Sequence, residues 1–154
     1  MEWLAGEIAL GVAVAVASIF IHGGATFVLA FLRLHIPPVT RRNYQRRLVL
    51  VMSAALVVLM VAHILEIVLW ARAYIWIGTV GNPLDAFYFA FVNYTTLGYG
   101  DMLPAPESRL LGPVAAGSGI LMFGWSTAIM AQILSRHLAV FDRPDGGDTH
   151  GGRS

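Results

Sequence analysis

Cysteine is missing from the 154-residue chain, so neither a disulfide framework nor a thiolate metal site is possible. Lysine is missing too: all ten basic residues are arginine. Charged residues make up 12% of the chain and the net charge is +1, which leaves a nucleic-acid-binding role without an electrostatic footprint. The first apolar run has no basic residue ahead of it, carries Glu2 and Glu7, and is followed by no small-residue cleavage site; a cleaved signal peptide does not fit. The same run has no arginine before Arg33, so it lacks the regular arginine ladder of a voltage sensor.

Apolar residues are abundant, at 57% of the chain, which is a membrane composition. Three runs exceed the ~20 residues that cross a hydrocarbon core. They extend from about Leu4 or Ile8 to Leu34, from Leu48 to about Tyr74, and from about Leu110 to His137. Residues 35–47, between the first two, contain Pro37 and Pro38, which end a helix. They also hold Arg41, Arg42, Arg46 and Arg47, and basic loops stay on the cytoplasmic side. This predicts an inner (plasma) membrane protein with its N-terminus outside and its C-terminus in the cytoplasm. The four arginines also suit anionic lipid headgroups. Residues 138–154 have too few apolar side chains to fold and are expected to form a disordered cytoplasmic tail with no attached ligand-binding domain.

Within the first span, Gly23 and Gly24 suit close approach of another helix, next to His22. Within the second, His63 and Glu66 lie three apart on one helical face. Ionisable groups at this depth are candidates for function, here filter support or pH sensing, with pairing to Arg72 as the alternative. Counted from Leu48, Glu66 stands about 27 Å above the inner boundary, whereas His22 lies about 21 Å below the outer one. His22 and His63 are therefore expected not to meet. That leaves no third ligand at matching depth for a metal hydrolase, which usually needs three. Trp70, Tyr74 and Trp76 suit the interfacial aromatic belt.

Asn82-Pro83-Leu84-Asp85 reads as a helix start, with Asn82 as cap and Pro83 at the first helical position. The helix, Pro83 to Tyr94, is about 18 Å long and too short to span. It leads into Thr95-Thr96-Leu97-Gly98-Tyr99-Gly100-Asp101. Gly98 and Gly100 can adopt positive φ without a Cβ clash. Alternating backbone handedness turns successive carbonyls to the same side, and rings of carbonyl oxygens can replace the hydration shell of a cation.

This string, between two membrane-length helices, closely resembles the signature of the potassium channel pore-module family. Thr96, Gly98, Tyr99, Gly100 and Asp101 match the usual Thr-Val-Gly-Tyr-Gly-Asp core, and Leu97 departs from it. The resemblance covers roughly Leu48 to His137. It implies an all-α membrane protein: an extra N-terminal transmembrane helix (1–34), an outer helix (48–74), a re-entrant pore helix (83–94), a filter (95–101) and an inner helix (110–137). It implies a homotetramer, since one chain supplies one filter strand. Potassium would bind at Thr96, Leu97, Gly98, Tyr99 and Gly100, with Thr95, Asp101, Tyr88 and Val92 supporting the filter. By position Tyr88 would bond Asp101, and Val92 stands where some members have glutamate. Gly119 falls near the family's gating hinge, with close helix packing as the alternative. No enzymatic activity and no cofactor beyond the permeant ion are expected. Two alternatives stay open: a weakly selective cation channel, because of Leu97, and a non-conducting channel-like subunit that needs a partner.

Overall fold

The computed structural model describes residues 2–34, 43–104 and 108–139. It is all-helical among them: α1 Glu2–Leu34, α2 Tyr44–Trp76, α3 Pro83–Tyr94 and α4 Leu111–Leu138. Three helices, α1, α2 and α4, are long and apolar enough to cross a membrane. Arg46 and Arg47 lie in the first turn of α2 rather than in the preceding loop. Arg41, Arg42 and the tail beyond Ala139 lie outside the described residues.

Each long helix buries one stripe. In α1 it is Gly11, Val14, Ser18 and His22, spaced three or four apart. In α2 it runs from Ala55 through Leu59, Ala62, His63, Glu66, Ile67 and Trp70 to Tyr74. In α4 it is Leu111, Ala115, Ser118, Gly119 and Met122. The opposite faces carry large exposed apolar side chains, Phe20 and Phe27 on α1 and Leu50 and Val57 on α2 among them. In a hydrocarbon solvent such faces carry no penalty, so the seams bury small and polar residues, such as Gly11, Ser18, His22 and Ala62, alongside large apolar ones.

Contacts fix the helix directions. A Cβ at Gly11 would lie 2.9 Å from Val114, and His22 reaches Ser126, so α1 and α4 run the same way. Tyr44 meets His137 while His63 meets Ser126, so α2 runs against α4. Gly11, not Gly23 or Gly24, is the point of close helix approach; a methyl group added at either of the latter two would meet nothing within 4 Å.

Trp70 and Tyr74 are corrections to the aromatic-belt reading. Both are fully buried, and Tyr74 packs edge-on against Phe89 of α3 at 4.9 Å. They face α3, which packs against the C-terminal half of α2 and covers that face. Trp76 remains exposed.

Candidate functional site

The short helix α3 starts as its sequence dictates. Asn82 Oδ1 accepts the Leu84 N–H at 2.9 Å, and Pro83 occupies the first turn. Its end is reshaped by one carbonyl: Val92 O accepts the N–H groups of both Leu97 (2.9 Å) and Gly98 (3.3 Å). Thr95 N–H bonds Phe91 O and Thr96 N–H bonds Asn93 O. These four bonds turn the chain sharply from helix into the filter string. Val92 thus supports the string through its backbone, which accounts for an apolar side chain being sufficient there.

Along the string, φ is +62° at Thr96, +56° at Gly98 and +74° at Gly100, with Leu97 and Tyr99 outside the positive region. Every second residue is therefore left-handed. Two of the three are glycine, and Thr96 holds a conformation that costs a Cβ-bearing residue roughly 1–2 kcal/mol. Residues 96–101 are exposed in the single chain, Leu97 by 51% and Tyr99 by 67%. At the far end Tyr88 Oη donates to Asp101 Oδ2 at 2.6 Å, pinning the exit of the string to α3. A Tyr88→Phe variant is expected to stay folded but to lose the tie between Asp101 and α3, measured as faster amide hydrogen exchange over residues 96–101.

Directly behind the string lies a buried polar cluster to which all four helices contribute. Tyr94, the last residue of α3, donates its hydroxyl proton to Glu66 Oε2. His22 Nδ1 is 3.0 Å from Glu66 Oε1, and His63 Nδ1 is 3.4 Å from Glu66 Oε2 and 2.9 Å from Tyr94 Oη. Ser126 Oγ lies 3.0 Å from His63 Nε2 and 3.2 Å from His22 Nε2. His22 and Glu66 are fully buried and His63 nearly so. The partners of Glu66 are these three residues; Arg72 is exposed and is not among them.

The cluster overturns the expectation that His22 and His63 do not meet: their ring centroids are 5.2 Å apart. The error lay in the boundary from which α2 was measured. The helix is 33 residues long, more than the core requires, and it ends at Trp76. Counted thirteen residues down from Trp76, His63 sits about 20 Å deep, the same level as His22. A third ligand at matching depth to His63 and Glu66 therefore exists, and it is His22.

Tyr94 and Ser126 were not singled out by sequence as members of this site. The usable signal was Tyr94 itself, since a buried tyrosine seeks a hydrogen-bond partner and the apolar α3 offers none. Ser118 is buried, and Thr127 Oγ1 donates to Phe123 O of its own helix. Gly119 is pressed against Tyr94 at the end of α3. A Cβ there would fall onto the Tyr94 carbonyl oxygen and lie 2.9 Å from its carbonyl carbon.

A family model described as Ion channel matches residues 48–136. That span takes in α2 from Leu48 onward, α3, residues 95–101 and nearly all of α4, and leaves α1 outside. No curated protein and no solved structure matches the chain.

Proposed function

This chain belongs to the ion channel family built on the two-helix potassium channel pore module, and we propose that it is a potassium-selective channel of four identical chains around one filter. The observation that carries this reading is the alternation of backbone handedness at Thr96, Gly98 and Gly100. With every second residue left-handed, successive carbonyls of Thr96, Leu97, Gly98 and Tyr99 turn to a common side, where they replace water around a bare cation. One strand covers only one side of an ion. The exposure of Leu97 and Tyr99 in the single chain supports three further copies as their cover. Conduction is passive, and repulsion between ions in adjacent sites drives throughput.

Tyr88 and Asp101 hold the outer end of the filter, and Thr95 and Val92 its inner end. Tyr94 braces the filter from behind, backed by Glu66 and His63. The membrane is the plasma (inner) membrane, with the N-terminus outside. Arg46, exposed on the first turn of α2, suits anionic headgroups.

The test is flux from liposomes holding the purified protein, driven by potassium or by sodium gradients, with barium as blocker. Potassium-driven flux that barium stops supports the reading; equal flux of both ions replaces it with a relaxed cation pore. Gly98→Ala is expected to bring potassium flux down to that of empty liposomes. A Cβ at φ +56° costs about 1–2 kcal/mol in each chain, repeated around the ring.

A further inference from the structure

We infer that His22, His63 and Glu66 form a binding site for a first-row divalent transition metal of the zinc class, which fastens α1 to the pore module. One ligand atom from each residue lies within 4.8 Å of the others, and all three residues are buried. The separations of 3.0 Å and 3.4 Å between imidazole Nδ1 atoms and carboxylate oxygens suit neighbouring ligands of one ion, whose bonds are each about 2.0–2.2 Å.

The orientation of the rings is the stronger argument. Both Nε2 atoms lie within hydrogen-bond distance of one atom, Ser126 Oγ. A hydroxyl oxygen has two lone pairs and can accept from both Nε2–H groups. In the tautomer with both ring protons on Nε2, the one that a bound metal selects, both Nδ1 lone pairs face the Glu66 carboxylate. Lone pairs brought together around a carboxylate repel one another unless a cation lies between them. A hydrogen bond from the second nitrogen of a ligating histidine is the usual way a protein fixes its tautomer and aim. Here one serine does this for two histidines from two different helices.

The donor set selects the ion. Two imidazoles and a carboxylate suit zinc, cobalt, nickel or ferrous iron rather than magnesium or calcium, and the chain has no thiolate for softer metals. Tyr94 Oη, which touches Glu66 and lies 2.9 Å from His63 Nδ1, supplies the fourth position. The negative end of the α3 dipole, where Tyr94 sits, also favours a cation. Ser126 is only half-buried, and Thr127 beside it is exposed, so the ion reaches the site over the Ser126 side of α4. With four protein donors and buried ligands the site is structural: it ties the helix outside the pore module to the residue that precedes the filter.

The experiment uses the full-length protein in detergent, stripped with a chelator and titrated with Co²⁺. The expected result is one Co²⁺ per chain, with the visible absorption bands of a four-coordinate nitrogen–oxygen site, erased by an equivalent of Zn²⁺. His22→Gln and His63→Gln should each abolish the bands, and His137→Gln should keep them. Ser126→Ala should weaken Co²⁺ affinity about 10–100-fold, because the aim of both rings is lost. The unmutated protein alone can overturn the proposal: if it stays folded by its thermal transition yet retains no Co²⁺, a proton occupies the position instead. Bands of full strength in folded His22→Gln overturn it as well. Neither outcome touches the potassium reading, since flux is measured without added transition metal.

Discussion

Gly119→Ala is expected to cost about 3 kcal/mol or more and to prevent recovery of a stable folded protein. Overpacking usually costs about 1–3 kcal/mol because side chains can shift to make room. Here the obstacle is the Tyr94 carbonyl, a backbone group at the end of α3. Moving it means moving the residue before Thr95 and Thr96, whose own N–H groups are tied to Phe91 and Asn93. The measurement is the thermal unfolding midpoint in detergent, followed by size-exclusion chromatography. The result also decides between two roles for this glycine. A hinge would tolerate alanine in the closed state and change only the fraction of time the pore is open. A packing glycine fails before any gating can be recorded. A well-folded Gly119→Ala protein with altered opening would sink the packing account.

Removing Glu66 is the second large effect. Glu66→Ala removes the carboxylate that accepts from Tyr94 and that lies against His22 Nδ1 and His63 Nδ1. Each buried polar group left without its partner costs about 1–3 kcal/mol, and the hole left by the side chain adds to it. Glu66→Gln separates charge from volume. The amide can still accept from Tyr94 but presents N–H groups to one of the imidazoles, so it should fall between the wild type and alanine in stability. Flux should then fall with the loss of filter support even where the Gln protein folds. If Glu66→Gln leaves both the unfolding midpoint and the potassium-to-sodium flux ratio unchanged, the buttress behind the filter is not made by this residue.

What could be read from sequence, and what could not, divides along physical lines. The three spans follow from apolar runs of membrane length, and the start of α3 follows from Asn82 and Pro83, whose chemistry is local. The Tyr88–Asp101 bond was placed by resemblance to a pattern of fixed spacing. The polar cluster depended on how far α2 rises relative to α1, and that is a register between helices. Apolar composition does not encode register: a helix with Val, Leu and Met on all sides reads the same whether it stops at the hydrocarbon boundary or passes it. Trp70 and Tyr74 were misplaced for the same reason. Interfacial preference is a property of the aromatic ring, and it yields to tertiary packing where a pore helix covers that face. Gly119 was legible as a position near the family's hinge or as a packing glycine, but not as the seat of the Tyr94 carbonyl, a backbone group that any sequence at position 94 would present.

The cluster also sets an order on how the chain is built. His22 and Ser126 are 104 residues apart, and Glu66 and Tyr94 lie between them. As helices leave the ribosome in turn, α1 and α2 can pair His22 with Glu66, but the imidazole nitrogens that end on Ser126 have no protein acceptor until α4 arrives. Until then two polar rings sit in an apolar surrounding with half their bonds unmade, and the early helices gain little from holding one register. The last helix closes the set. A chain cut short before α4 is therefore not a smaller version of this fold but an unfinished one, with polar surface where the bilayer accepts none.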